Sequence, residues 1–164
     1  MDASSHALLD ALLDSWDRSN RILVNLLHAV PVEALELRAT PESLRIVEMF
    51  MHINRCRLFF VGEDAPEVPF AAPPAPGEER DVTRIAQMLD ESAVAVRQAV
   101  RGRIEAGEAM AVRYDHPLLM LQHNLWHEGY HHGQVKLVLK LHGMPLDDEA
   151  IGNVTWDLWM DRTT

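Results

Sequence analysis

Four histidines crowd one stretch of the chain. The run from His123 to Gln134 reads H-N-L-W-H-E-G-Y-H-H-G-Q and places them at 123, 127, 131 and 132. A neutral imidazole offers a nitrogen lone pair near neutral pH, which makes it a proton carrier and a common metal ligand. If the stretch is helical, a four-residue step turns about 400°, so His127 and His131 point the same way, one turn apart. Such a pair is a standard way for a helix to present two nitrogens to one ion. One helix rarely completes a coordination shell, so a third ligand is expected from elsewhere.

His52 is the leading candidate. It falls on an apolar stripe of Met49, His52, Ile53, Cys56, Phe59 and Phe60 and is expected to face inward. Bundles build metal sites from inward side chains on facing helices, and three histidines with open positions are the pattern of a catalytic metal. His123 is a rival, but eight residues of helix put it about 12 Å along the axis from His131. Cys56, one turn from His52, is a weaker rival and reads as a small buried hydrophobe. Glu128, Tyr130 and Gln134 are positioned to orient an imidazole or touch a ligand, although solvent exposure is the favoured reading of Glu128. Arg55 and Arg57 flank the His52 turn, where an anionic substrate is one use for them and solvation the other. His6, His28, His116 and His142 fall near helix ends, where histidine commonly caps or meets a helix C-terminus.

These residues need a frame, and the pattern supplies four amphipathic helices. Leu8, Leu9, Leu12, Leu13, Trp16, Leu23, Leu26 and Leu27 recur at helical steps over 5–29, with Ser4 or Ser5 as cap and Pro31 as stop. A second helix is expected over 41–61, opened by Thr40-Pro41-Glu42 and closed by Gly62. A third covers 81–104 with Asp81 as cap. The fourth opens at Asp115-His116-Pro117 and stops near His142, before Gly143 and Pro145. Gly133 in its middle suggests a close helix–helix approach. Between the second and third helices, 62–80 holds five of the nine prolines, which no helix survives. Roughly 19 residues at about 3.3 Å each outreach a helix of roughly 30 Å, so this segment can cross the bundle and leave helices 2 and 3 parallel. Trp156 and Trp159 in the tail are expected to cover one end of the bundle or a neighbouring subunit, which keeps a homodimer in view. The fold class is all-α, a four-helix bundle with a long crossover, in one domain over 1–164.

Composition narrows the function. The chain has 164 residues, 48% of them apolar, with 25 acidic residues against 15 basic and a net charge of -10. That balance argues against a nucleic-acid partner, whose affinity rests on clustered Lys and Arg. No apolar run is long enough to span a membrane, and the N-terminus lacks the look of a signal peptide. One cysteine rules out an intrachain disulfide framework and fits a reducing compartment, so a cytoplasmic location is expected.

His52 on helix 2, together with His127-Glu128-Gly129-Tyr130-His131-His132-Gly133-Gln134 on helix 4, resembles the DinB-like (YfiT-like) metalloenzyme family. Members carry one helix-2 histidine and an H-x-x-x-H-[RH]-G-Q-like motif on helix 4. The resemblance covers nearly the whole chain in element order and includes the Gly143-Met144-Pro145 stop. It implies an up-down-down-up bundle and the ligands His52, His127 and His131, usually for nickel or zinc. His132, where relatives often have arginine, is then an outward neighbour. Characterised relatives use low-molecular-weight thiols as co-substrates, so the resemblance implies a thiol S-transferase acting on small electrophiles. A metal-dependent hydrolase and a non-catalytic metal-binding or helical interaction module are the alternatives.

Overall fold

The computed structural model describes residues 2–160. Four long helices carry the chain: α1 (Ala3–Ala29), α2 (Ile46–Asp64), α3 (Val82–Ala106) and α4 (Pro117–Leu141). Three short 3-10 turns, at Val32–Ala34, Gly152–Val154 and Trp156–Trp159, are the remaining regular elements, and no strand occurs among the described residues.

The helix ends follow local chemistry. Asp81 caps α3 by accepting from the amides of Thr83 and Arg84, and His116 caps α4 through Nδ1, which accepts from Leu118 N at 3.2 Å. Gly107 and Gly143 take positive φ after α3 and α4, where a side chain would be strained. The cap of α1 is Asp2 rather than Ser4 or Ser5: its carboxylate accepts from Ser5 N at 2.8 Å. The start of α2 is also later than Thr40-Pro41 suggested. Residues 40–43 close on themselves, Ser43 N donating to Thr40 O. The first amides of α2 then donate backwards, Ile46 to Leu37 O and Val47 to Leu35 O, so carbonyls of the preceding turn replace a side-chain cap. At its other end α2 runs through Gly62 to Asp64.

Core composition gives the helix directions. One apolar cluster joins Leu23, Leu26 and Leu27 of α1 with Met49, Phe50 and Ile53 of α2, Ile85 and Leu89 of α3, and Val135 and Leu139 of α4. The other joins Leu9, Leu13 and Trp16 with Leu58 and Val61, Val96 and Val100, and Met120 and Leu121. The late part of α1 therefore meets the early parts of α2 and α3 and the late part of α4. The bundle is up-down-down-up, with α2 and α3 parallel.

The crossover, residues 65–81, makes this possible. Near its start Glu67 pairs with Arg103 at the far end of α3 (2.8 Å). Near its finish Arg80 pairs with Glu36 in the α1–α2 connection (2.8 Å). The Pro-rich strap thus runs the length of the bundle.

The tail does not cover a bundle end. It lies along the groove between α1 and α4, where Arg18 Nη1 donates to Leu158 O (2.5 Å) and Asn25 Nδ2 donates to Val154 O (2.6 Å). Trp156 sits over Lys136 Nζ, 6.0 Å from the ring centre, and both Trp156 and Trp159 keep much of their surface exposed.

Candidate metal centre

His127 and His131 sit one turn apart on α4, as their spacing requires, and His52 of α2 faces them. The Nε2 atoms of His52 and His127 are 3.2 Å apart, and those of His127 and His131 are 3.1 Å apart. One ligand atom from each ring lies within 4.8 Å of the others. Nitrogens that share one divalent ion at about 2.1 Å, at roughly 90–110° to each other, stand about 3.0–3.4 Å apart. The His52–His127 and His127–His131 spacings have that value, and the nitrogen donor set suits a borderline ion such as zinc or nickel.

The electrostatics favour bare nitrogens. Burial, then the neighbouring His131 and His52, pushes His127 down to about 4. Burial also lowers His52, with His131 and Arg55 acting in the same direction. His131 is lowered by burial as well, against the hydrogen bond it donates to Gln134 and the nearby Glu128 charge. His131 Nδ1 pairs with Gln134 Oε1 at 2.7 Å, and Gln134 Nε2 donates to the Tyr130 hydroxyl at 2.8 Å. An amide oxygen can only accept, so Nδ1 carries the proton and Nε2 presents its lone pair to the cluster. Gln134 thus holds the His131 ring, and Tyr130 in turn holds Gln134.

His123 stands apart from the cluster, its Nδ1 bonded to the Tyr114 hydroxyl at 2.8 Å and its ring against Phe60. Cys56 Sγ lies 3.4 Å from His52 Nε2, and burial pushes its thiol up, against the pull of Arg55. The helix-end histidines behave as such: His6 bonds Asp2 O and His142 bonds Arg38 O.

Four expectations need correction. The stripe through Phe59 is not the inward face of α2: Phe59 is 53% exposed, and the buried set is Met49, Phe50, Ile53, Asn54, Arg57, Leu58, Val61 and Asp64. His52 is therefore half-buried at the flank of α2. His132 is not outward. It lines a cavity under Trp156 and Trp159, its Nε2 is buried without a partner among the described residues, and burial lowers its pKa. Gly133 makes no close approach, since a Cβ there would meet nothing within 4 Å.

The remaining correction is the largest. Arg57 and Glu128, read as solvated, form a buried ion pair. Arg57 is 0% and Glu128 4% exposed. The fork is bidentate, Nε to Oε1 at 2.7 Å and Nη2 to Oε2 at 2.8 Å. Arg57 Nη1 also donates to Asn20 Oδ1 of α1 and Leu89 O of α3, both at 2.8 Å, and the guanidinium stacks 4.7 Å from the Trp16 ring centre. One side chain therefore ties all four helices between the two apolar clusters. Glu128 follows His127 directly, so the brace fixes the rotation and height of α4 where the histidines project. Two signals marked it in the sequence: Glu128 is the only acidic residue of α4, and Arg57 lies at helical spacing from Ile53, Asn54 and Val61.

The comparisons bear on the fold. The chain matches no protein-family model and no curated protein significantly. It superimposes on the crystal structure of a DinB-like protein from Bacillus cereus with a TM-score of 0.68, over 84% of this chain and 95% of that one, at 14% identity. The chain has a DinB-like fold. No helix among the described residues is long and apolar enough to cross a membrane.

Proposed function

We propose that the chain holds one divalent metal ion, nickel or zinc, through Nε2 of His52, His127 and His131. We further propose that it is a metal-dependent enzyme, a thiol S-transferase that joins a low-molecular-weight thiol to a small electrophile. The observation that carries the reading is the convergence of three Nε2 atoms from two helices, with spacings of 3.1 and 3.2 Å about His127. Bound there, a divalent ion supplies the positive charge that lowers the pKa of a thiol or water and yields a nucleophile near neutral pH.

The chain's own residues prepare the site. Gln134 keeps the His131 proton on Nδ1, which orients the ring as outer partners of metal-bound histidines do. The Arg57–Glu128 pair fixes α2 against α4. Trp126 and Tyr130 stack beside the site with their rings exposed, centres 6.5 Å apart, and offer an apolar wall to a small substrate. The DinB-like fold supports the transferase class through the resemblance of the helix-4 motif.

The test has two stages. Metal content is measured first, on protein purified without a histidine tag; one equivalent of nickel or zinc is expected, and its absence sinks the proposal. The metal-loaded protein is then given a fluorogenic haloalkyl electrophile with and without added thiol. Turnover that needs both thiol and metal and is lost in His127→Ala supports a transferase. Hydrolysis of an activated ester with no thiol present would make the protein a metal-dependent hydrolase instead.

A further inference from the structure

α2 carries a second chemically marked residue on its other flank. Asn54 follows His52 by two residues, a turn of about 200°, so it points away from the histidine cluster. It is 1% exposed, yet neither Oδ1 nor Nδ2 has a hydrogen-bond partner among the described residues. Buried polar groups are almost always paired, because an unpaired one has given up its hydration for nothing. Here a donor and an acceptor on one side chain both lack partners. The surrounding polar groups do not share the defect: Arg57 is fully engaged, and Ser92 Oγ donates to Leu89 O at 3.0 Å.

Asn54 lines a cavity of about 670 Å³ between α2, α3 and the proline strap. Met88 and Val94 supply apolar wall from the helices' side, and Phe70 and Pro73 from the strap. Of the charged residues on the lining, Arg84 and Glu91 pair with each other at 3.2 Å and the Asp90 carboxylate accepts from Asn20 Nδ2 at 2.7 Å, so the lining offers no unpaired cation to an anionic ligand. Gly62 seats the strap: a Cβ there would lie 3.1 Å from Phe70 Cζ, and its absence lets the ring close on α2. The volume falls in the range of small-molecule sites. It far exceeds the roughly 30 Å³ share of one water, so a bridging water would pair the amide and leave most of the space unfilled.

We propose that this cavity is a binding site for a small neutral molecule with a carbonyl and an adjacent N–H on one edge, as in a lactam or a primary amide. Its carbonyl accepts from Asn54 Nδ2 and its N–H donates to Asn54 Oδ1, while its carbon frame fills the space beneath the strap. The ligand is no anion, because the lining's cation is already paired and Asp90 would repel it; a neutral amide edge matches the neutral Asn54 amide, and the ligand is bifunctional because Asn54 lacks both a donor and an acceptor partner. The site is separate from the histidine cluster, and its test needs no metal.

The experiment titrates δ-valerolactam into the full chain, followed by calorimetry and by amide shifts in NMR. Cyclohexanone, with the same ring and carbonyl but no N–H, is the comparison. Saturable lactam binding is expected, about tenfold weaker for cyclohexanone and weaker by about tenfold or more in Asn54→Leu. Val94→Trp narrows the cavity from its exposed side and is expected to block both probes. Without ligand, Asn54→Leu is expected to melt no lower than the wild type, because a leucine of similar shape removes two unpaired polar atoms. No saturable lactam binding, equal binding of the two probes, lactam binding unchanged by either substitution, or a melting point several degrees lower in Asn54→Leu would each overturn the proposal.

Discussion

Glu128→Gln offers the sharpest test of how the bundle holds its histidines. The substitution keeps the side-chain shape but turns one of the two acceptors facing Arg57 into a donor. It leaves a guanidinium with 0% exposure and no counter-charge. Removing one partner of a buried pair costs about 3–5 kcal/mol. The lower end applies here, because Nη1 keeps Asn20 Oδ1 and Leu89 O, and the Trp16 ring still faces the guanidinium. About 3 kcal/mol is a large part of the roughly 5–15 kcal/mol that holds a domain folded. For a chain of this size it lowers the melting temperature by about 6–12 °C. The double variant Arg57→Met/Glu128→Leu removes both charges. It is expected to return to within about 1–2 kcal/mol of wild type, the residue being the Nη1 bonds lost at Asn20 and Leu89. Urea unfolding of the wild type, the single variant and the double variant, checked for two-state behaviour, gives the three free energies. A loss below about 1 kcal/mol in Glu128→Gln, or a double variant less stable than the single, would refute the brace as described.

Three further outcomes follow from the histidine cluster. His127→Ala should weaken divalent-metal binding by more than about 100-fold in calorimetry, because losing only an outer partner of a ligand already costs about 10–100-fold; His132→Ala, whose ring lies under the tail, should change it less than about threefold. Gln134→Leu should cost about tenfold or more in metal affinity with little change in melting temperature, since it frees the His131 ring to rotate and leaves Nδ1 without its acceptor. The pH response carries a sign: burial holds His52, His127 and His131 below the usual imidazole value of 6.5, His127 at about 4, so protons compete for the site only below that value. Metal affinity should stay nearly level just below pH 6.5 and fall as pH drops through the lowered values, with more than one proton taken up per ion released. The metal-free fold should lose stability over the same descent, because the unfolded histidines take up protons that the folded ones refuse; metal titrations and urea unfolding across pH 4–8 read both, and a pH-independent affinity would argue against histidine ligation.

The DinB-like fold and the position of the cluster were legible in local sequence because the controlling forces there are local. Proline density forbids helix over the strap whatever packs against it, and the strap's length then permits α2 and α3 to run parallel. The four-residue step fixes His127 and His131 on one face of α4 before any partner helix exists. The Asp81 and His116 side chains accept from backbone amides only two or three residues on. Neighbouring turns proved decisive at α2, whose first amides found the Leu35 and Leu37 carbonyls instead of the Thr40 hydroxyl.

The tertiary structure decided which side of α2 turns inward. Its residues from Ile46 to Val61 are apolar on nearly every side, so periodicity alone offers several stripes of similar quality. The choice falls to the partners: a guanidinium with six contacts across three helices outweighs the exposure of Phe59, and Arg57 goes in while Phe59 goes out. His52 is carried with that rotation to the flank of α2, where it meets His127. Glu128 is buried for the same reason, since a carboxylate beside that guanidinium is worth more than one in water. The tail is likewise a tertiary decision. Two tryptophans demand apolar cover, but only the groove between α1 and α4, where Arg18 and Asn25 donate to the tail's carbonyls, determines that they lie along the bundle's side.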